Sequence, residues 1–493
     1  MESSGALSNP LGWVQAQLQG GWRRALTIGG VYFLGAGAAL MIIYRALPHD
    51  APPRGVSPQA FARGVLLVLL ILQAAILVLV GASSVRRAVQ RDLTGGMIDS
   101  HRLTPMTGWS AVVGYLSGPN IVLLPLTVAN WLLSIAVSLF GEFPPLAWTA
   151  GLAVILCLAL PISAMSLLAG LSSKRPTNVA AILLVLGLTG GTALLFLVPG
   201  LGLLLGFFST WSMLRNVTGT VTFDATILFS LAGQLVLAGI FCVAAARRFV
   251  REDVQAFPWP LALMLLAFVA VFGGSGLRVW PEYEGQFIDW DRAEFGVSIQ
   301  WIATWTVTSL FALFPIAAAA QDSARWERRA ALDEALAGRR PTHYALVLVL
   351  AATVAIGIMT LSAGDATPLM MKDARTAFLS LVFVLLALLT GGAVLRFVYG
   401  LRERVGWIVT LWVVLTWALP PLIDMIRAVY ADESGPTQPS WLMGCSPAGA
   451  WVLIWYFPHI TVLPGLIVQT ALALATCGGL AVLRRRKIVR PAT

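Results

Sequence analysis

Gly64-Val65-Leu66-Leu67-Val68-Leu69-Leu70-Ile71-Leu72-Gln73-Ala74-Ala75-Ile76-Leu77-Val78-Leu79-Val80-Gly81-Ala82, followed at once by Ser83-Ser84-Val85-Arg86-Arg87, decides the fold. The apolar stretch holds one polar side chain, Gln73, and no charge until the two arginines. As a helix it would extend about 28 Å, enough to cross the roughly 30 Å of hydrocarbon in a bilayer. In lipid it must be a helix, because only hydrogen bonds within the segment satisfy its backbone there. Eleven further stretches of the same kind occur, at 25–44, 112–140, 148–171, 179–198, 227–246, 261–277, 299–320, 344–361, 377–398, 405–425 and 465–483. The sequence therefore predicts an all-α, polytopic membrane protein of about twelve spans.

Bulk composition agrees. Apolar residues make up 58% of the 493 and charged ones 11%, and the mean hydropathy is +0.81, values that would not keep a domain of this size in water. With the N-terminus inside, and with Arg396 and Asp424 at the ends of their stretches counted with the inner and outer side respectively, the inner side carries 24 Lys and Arg against 10 Asp and Glu, and the outer side 9 against 13. That asymmetry follows the positive-inside rule, so both termini are expected at the cytoplasmic face of an inner (cell) membrane. The net charge of +10 is then a topological signal that also favours anionic headgroups of the lipid bilayer, and nucleic acid is not an expected partner. The first stretch follows Arg23 and Arg24, exceeds a signal-peptide core in length and lacks a small-residue cleavage pattern, so it is expected to be retained. Cys157, Cys242, Cys445 and Cys477 form no close pair, which indicates neither a disulfide framework nor a metal cluster.

The chain reads as built twice. The second and eighth stretches begin 235 residues apart, and the sixth and twelfth 238. Both halves place a charged inner connection after their second span, 83–110 and 321–343, with Pro105 and Pro341 236 apart. Both also place a long outer connection before their last span, with apolar pieces at 201–208 and 448–457 too short to cross. Those pieces are expected to be re-entrant hairpins or surface helices. The expected organisation is a parallel six-plus-six pseudo-repeat, with a first half at 1–250 and a second at 251–493, and a central pathway between them.

The first inner connection reads Gly96-Met97-Ile98-Asp99-Ser100-His101-Arg102-Leu103-Thr104-Pro105-Met106-Thr107, then Gly114-Tyr115-Leu116. Gly95 and Gly96 should break the preceding helix, and Thr104-Pro105 fits the start of the next, since Thr caps a helix and Pro suits its first turn. A rigid segment rooted beside a membrane helix is what an external motor needs to move that helix. The segment resembles that of type 2 ATP-binding-cassette (ABC) exporter permeases, whose pattern runs Gly-Thr-Leu-Glu, three apolar residues, any residue, Thr-Pro-Leu-Ser, then Gly-Lys-Leu. Met97 stands for the Thr, Ser100-His101-Arg102 for the apolar trio and Tyr115 for the Lys. Residues 327–342, with Arg328 and Pro341, look like a degenerate second copy, and Asn9-Pro10-Leu11 onward to Arg24 is similar to the family's interfacial connecting helix. The resemblance implies ATPase-coupling residues at Gly96, Asp99, Thr104, Pro105, Thr107, Arg328 and Pro341, and a cytoplasmic ABC ATPase subunit as partner, with further membrane subunits left open. It also implies an exporter that moves a hydrophobic or amphipathic substrate such as a lipid, glycolipid or drug-like molecule.

The chain offers no phosphate loop of its own. Its three lysines, Lys174, Lys372 and Lys487, all lack a preceding Gly, so ATP would be bound by the partner and no cofactor, catalytic residue or metal site is expected here. No ionisable group lies well inside a span; Asp424, the nearest, has Arg427 three residues on and reads as an interfacial pair. Two alternatives stay open. Glu282, Glu284, Asp289, Asp291 and Glu294 in 278–295 would suit a divalent cation in a polytopic glycosyltransferase, or simply a solvated outer loop. An ion-coupled secondary transporter is the other. Pro119, Pro125, Pro161, Pro315 and Pro420-Pro421 interrupt spans, Asn120 and Gln300 are unranked pathway candidates, and His101, His343 and His459 form no metal-ligating pattern.

Overall fold

In the computed structural model, residues 9–47, 57–172, 204, 225–250, 256–287, 300–313, 315–317, 319, 344–362, 374–401, 411–430, 439–457 and 460–489 are described. Among them every regular element is helical. Among the described residues eight helices are long and apolar enough to cross a membrane, and shorter apolar helices lie at Leu346–Thr360, Leu411–Asp424 and Leu463–Gly479. The chain is therefore a multi-pass α-helical membrane protein. The predicted span 179–198 lies outside the described residues. Contacts divide the chain into two compact units between Ala256 and Phe257.

The first unit is organised around one rod. Ser57 caps it by accepting from Ala60 N at 3.1 Å, with Pro58 at the first helical position, where a missing N–H costs nothing. The rod runs through α3 (Pro58–Ala74), a π-helical turn at Ala75–Gly81, and α4 (Ala82–Thr94). Before it come α1 (Pro10–Leu18) and α2 (Gly21–Ala46); after it come α5 (Met97–Leu103), α6 (Gly108–Ser117), α7 (Leu123–Phe140), α8 (Pro145–Ser172) and α9 (Ala225–Val250). The stretch read as one span, 112–140, is thus two helices. They part around Gly118-Pro119-Asn120, where Pro lacks the donor that would continue the ladder. That break faces the π turn: the Ser84 hydroxyl stands between two acceptors for its one proton, Asn120 Oδ1 and Gly81 O, the latter at 2.8 Å.

Packing in this unit combines apolar clusters with satisfied amides. Ala62, Leu66, Phe143 and Trp148 form one cluster and Ala150, Val154 and Ile227 another. Asn130 on α7 donates to Gln73 Oε1 at 2.8 Å and Leu69 O at 3.0 Å on α3 and accepts from Tyr32 OH on α2 at 2.8 Å. In lipid, where water offers no alternative, such amides hold helices together.

The second unit contains α10 (Trp259–Phe287), α11 (Gln300–Ala317), α12 (Tyr344–Ser362), α13 (Ala374–Leu401), α14 (Leu419–Tyr430), α15 (Pro447–Tyr456) and α16 (Leu463–Val489). α10 continues to Phe287, ten residues past the expected span end, so Glu282 and Glu284 lie on a helix rather than in a loop. α15 is the predicted short apolar piece. It is too short to cross, and Ala450, Trp451, Leu453 and Trp455 on it are fully buried, so it packs inside the second unit. Trp451 and Trp455 meet Trp305 edge to face at centroid distances of 5.5 and 5.6 Å. Trp455 Nε1 also donates to Ser380 Oγ at 3.0 Å. On α11, Thr304 Oγ1, Trp305 Nε1 and Ser309 Oγ are buried without a hydrogen-bond partner.

Candidate functional site

The connection between α4 and α6 is built, not slack. α4 ends when Gly95 N bonds Arg91 O at 2.9 Å, and Gly96 then adopts φ 70°, the left-handed region where a Cβ would be strained. This turn starts α5, whose one buried apolar side chain is Ile98. Thr104 closes α5 and does not open the next helix: its Oγ1 donates back to His101 O at 2.6 Å. The cap of α6 is Thr107, whose Oγ1 accepts from Ser110 N at 3.2 Å. The expected helix start therefore moves three residues, because Met106 N turns back onto Thr104 O at 2.7 Å.

Arg102 fastens α5 on two sides. Its Nη1 contacts Asp99 Oδ1 at 2.9 Å, and its Nε donates to Phe249 O at 2.8 Å, at the last turn of α9. A cation there also meets the negative end of the helix dipole. The root of α4 is held by a second knot. Asp92, buried, accepts from Gln15 Nε2 of α1 at 2.7 Å and from Tyr115 OH of α6 at 2.8 Å, both at Oδ2. Arg91 Nη2 donates to Gln15 Oε1 at 2.7 Å. One carboxylate thus joins three helices, and charge-assisted bonds of this kind are the strong ones.

α1 reaches that position because Asn9 caps it, accepting from Leu11 N at 3.1 Å and Gly12 N at 3.3 Å, and also donates to Ser110 O. Its approach to α6 is close: a Cβ on Gly118 would stand 2.6 Å from Gly12 O, so only Gly fits. The outer side of α5 carries apolar side chains in the open. Leu103 is 89% exposed and Met97 48%, with Pro105 beside them and Trp109 on the first turn of α6.

No family model, curated protein or solved structure matches this chain.

Gly96, Asp99, Thr104, Pro105 and Thr107 thus lie along one exposed, rigidly rooted strip. Arg328 and Pro341, like the connection 321–343 and Asp289, Asp291 and Glu294, fall outside the described residues. Asp424 is a structural anchor: it accepts from Ser440 N at 2.9 Å and from Ser440 Oγ, and pairs with Arg427 at 3.3 Å. Among the described residues no three His, Cys, Asp or Glu side chains come together as a metal site would require. The residues that the sequence did not single out are Gln15, Arg91, Asp92 and Tyr115. One signal was present: Asp92 is an acid set among Arg86, Arg87 and Arg91 just outside a long apolar run.

Proposed function

We propose that this chain is the membrane-spanning permease of an ATP-driven exporter of the type 2 ABC kind, and that α5 is where a separate cytoplasmic ATPase pushes. The observation that carries this reading is the combination at α5 of a rigid root and an apolar outer face. Leu103 and Met97 stand exposed on a helix fixed by Ile98, by Arg102 to Phe249 O and, through α4, by Asp92. A loop with no partner gains nothing from exposing a leucine so fully, whereas a docking knob needs both exposure and stiffness. Tyr115, at the position where that family's pattern has Lys, supports the reading because it donates a hydrogen bond into the knot that stiffens the lever.

In this reading the chain has twelve spans in a six-plus-six arrangement, with 179–198 supplying the fifth and both termini at the cytoplasmic face of an inner membrane. ATP-driven closure of the partner displaces α5. Arg102 carries that displacement to α9, and Gly95-Gly96 carries it to the rod 58–94. Motion of those helices opens a route outward for a hydrophobic or amphipathic substrate, which suits spans without fixed charge.

The test is affinity purification from native membranes in mild detergent, with quantification of any co-purifying ATPase that carries a phosphate loop. Stoichiometric recovery that is lost on Leu103→Asp supports the proposal. Recovery of the intact protein without an ATPase, under conditions that preserve other membrane complexes, overturns it.

A further inference from the structure

We propose that α1 is a seat for anionic phospholipid, and that lipid held there stiffens the lever. α1 leaves an apolar face uncovered. Trp13, Val14 and Leu18 are exposed, while Leu11, Gly12 and Gln15 are buried. A helix against water does not leave three large apolar side chains open while it buries an amide. Trp22 and Leu26 at the start of α2 continue that apolar face, and Val31, Leu34 and Met41 carry it along a helix long enough to cross a membrane. The medium that covers α2 therefore also reaches α1, which places α1 at the depth of the headgroups.

The exposed charge on α1 and the start of α2 has one sign, and the nearby Asp92 is buried against the other face of α1. Arg23 and Arg24 are exposed in the first turn of α2, and no Asp or Glu occurs between residues 3 and 49. Tryptophans flanked by unopposed arginines complement a phosphate diester that bears a net negative charge, with the rings in the acyl boundary and the guanidiniums on the phosphates. From its other face α1 extends Gln15 to Asp92 and Arg91 on α4. A lipid that holds the outer face therefore also holds the lever's root. Placing this seat in the cytoplasmic leaflet rests on the topology proposed above; lipid binding itself does not depend on the ATPase.

The test uses the full chain in nanodiscs of phosphatidylcholine alone or of phosphatidylcholine with phosphatidylglycerol, read by amide hydrogen exchange. Phosphatidylglycerol should slow exchange in 10–18 by roughly 30-fold, the effect of two arginines near an anionic surface, and should also slow 86–103. Arg23→Gln with Arg24→Gln should make the two bilayers equivalent. Gln15→Leu should keep the lipid effect on 10–18 and lose it on 86–103. Equal exchange in both bilayers, or slowing that survives the double arginine change, overturns the lipid seat. Slowing confined to 10–18 in the unaltered protein overturns the link to the lever. None of these outcomes involves an ATPase, so failure here is separate from failure of the transport reading.

Discussion

Replacing Asp92 by Ala should cost more than any other single polar substitution in the first unit. The change leaves two buried donors, Gln15 Nε2 and Tyr115 OH, without the acceptor they share at 2.7 and 2.8 Å. Each orphaned donor costs about 1–3 kcal/mol. Gln15 keeps its bond from Arg91, so the total should fall at about 2–4 kcal/mol. The ion pair adds little to this figure: Arg91 Nε lies 3.8 Å from Asp92 Oδ1 on a half-exposed side chain, a geometry worth under about 1 kcal/mol. Asp92→Asn keeps one carbonyl acceptor and should lose about half as much. Tyr115→Phe removes one bond and leaves Asp92 with Gln15, at a cost of about 1 kcal/mol. Since the two groups share one bond, the double change should cost about 1 kcal/mol less than the sum of the singles. Equilibrium unfolding in mixed micelles reads all four values. An Asp92→Ala loss no larger than that of Tyr115→Phe, or a coupling of zero, would show that the carboxylate does not join the helices as described.

Leu103→Asp and Met97→Asp should leave unfolding within about 0.5 kcal/mol of the unaltered protein, since both side chains are exposed, while reducing ATPase recovery. Gly118→Val should lower stability by about 1–3 kcal/mol, because its Cβ would stand 2.6 Å from Gly12 O and must force α1 off α6; thermal melting checks it. Asp424→Ala should cost about 2–3 kcal/mol by leaving Ser440 N and Oγ unpaired, measurable in the same melt. Burial pushes the Cys445 thiol above its ordinary pKa, so the thiolate fraction near neutrality falls. Labelling of Cys445 by an impermeant maleimide in intact cells should therefore be slower than that of a free thiol and rise as pH is raised; labelling as fast as a free thiol contradicts this.

Apolar runs were legible because in lipid composition alone forces a helix: eight of the predicted stretches hold helices long and apolar enough to cross, one of these stretches, 112–140, being broken in two, and three more hold shorter apolar helices. Where those helices start and stop was less legible. The rod begins at Ser57-Pro58, six residues ahead of the apolar run, because a cap depends on side-chain oxygen geometry and not on hydropathy. Gly95-Gly96 announced its break, since few residues other than glycine accept φ 70°. Thr104-Pro105 and Thr107-Gly108 both read as helix starts, and only the fold decides that Thr104 ends a helix and Thr107 begins one. The Asp92 knot was beyond reach for a plainer reason. Its members lie 77 and 23 residues apart along the chain, and no periodicity connects them.

The rod from Pro58 to Thr94 has 37 residues, which at 1.5 Å each makes it about 55 Å long. Hydrocarbon accounts for about 30 Å of that. Six residues of the rod precede the apolar run and twelve follow it, so the arm beyond Ala82 is about 18 Å long, and an arm multiplies angle into distance: a ten-degree tilt in the bilayer sweeps its tip through about 3 Å. That sweep is as long as a hydrogen bond, so a tilt too small to disturb lipid packing would make or break contacts there. The gearing is reversible, and a few ångströms imposed at Gly95 return to the membrane as a rotation of the same small angle.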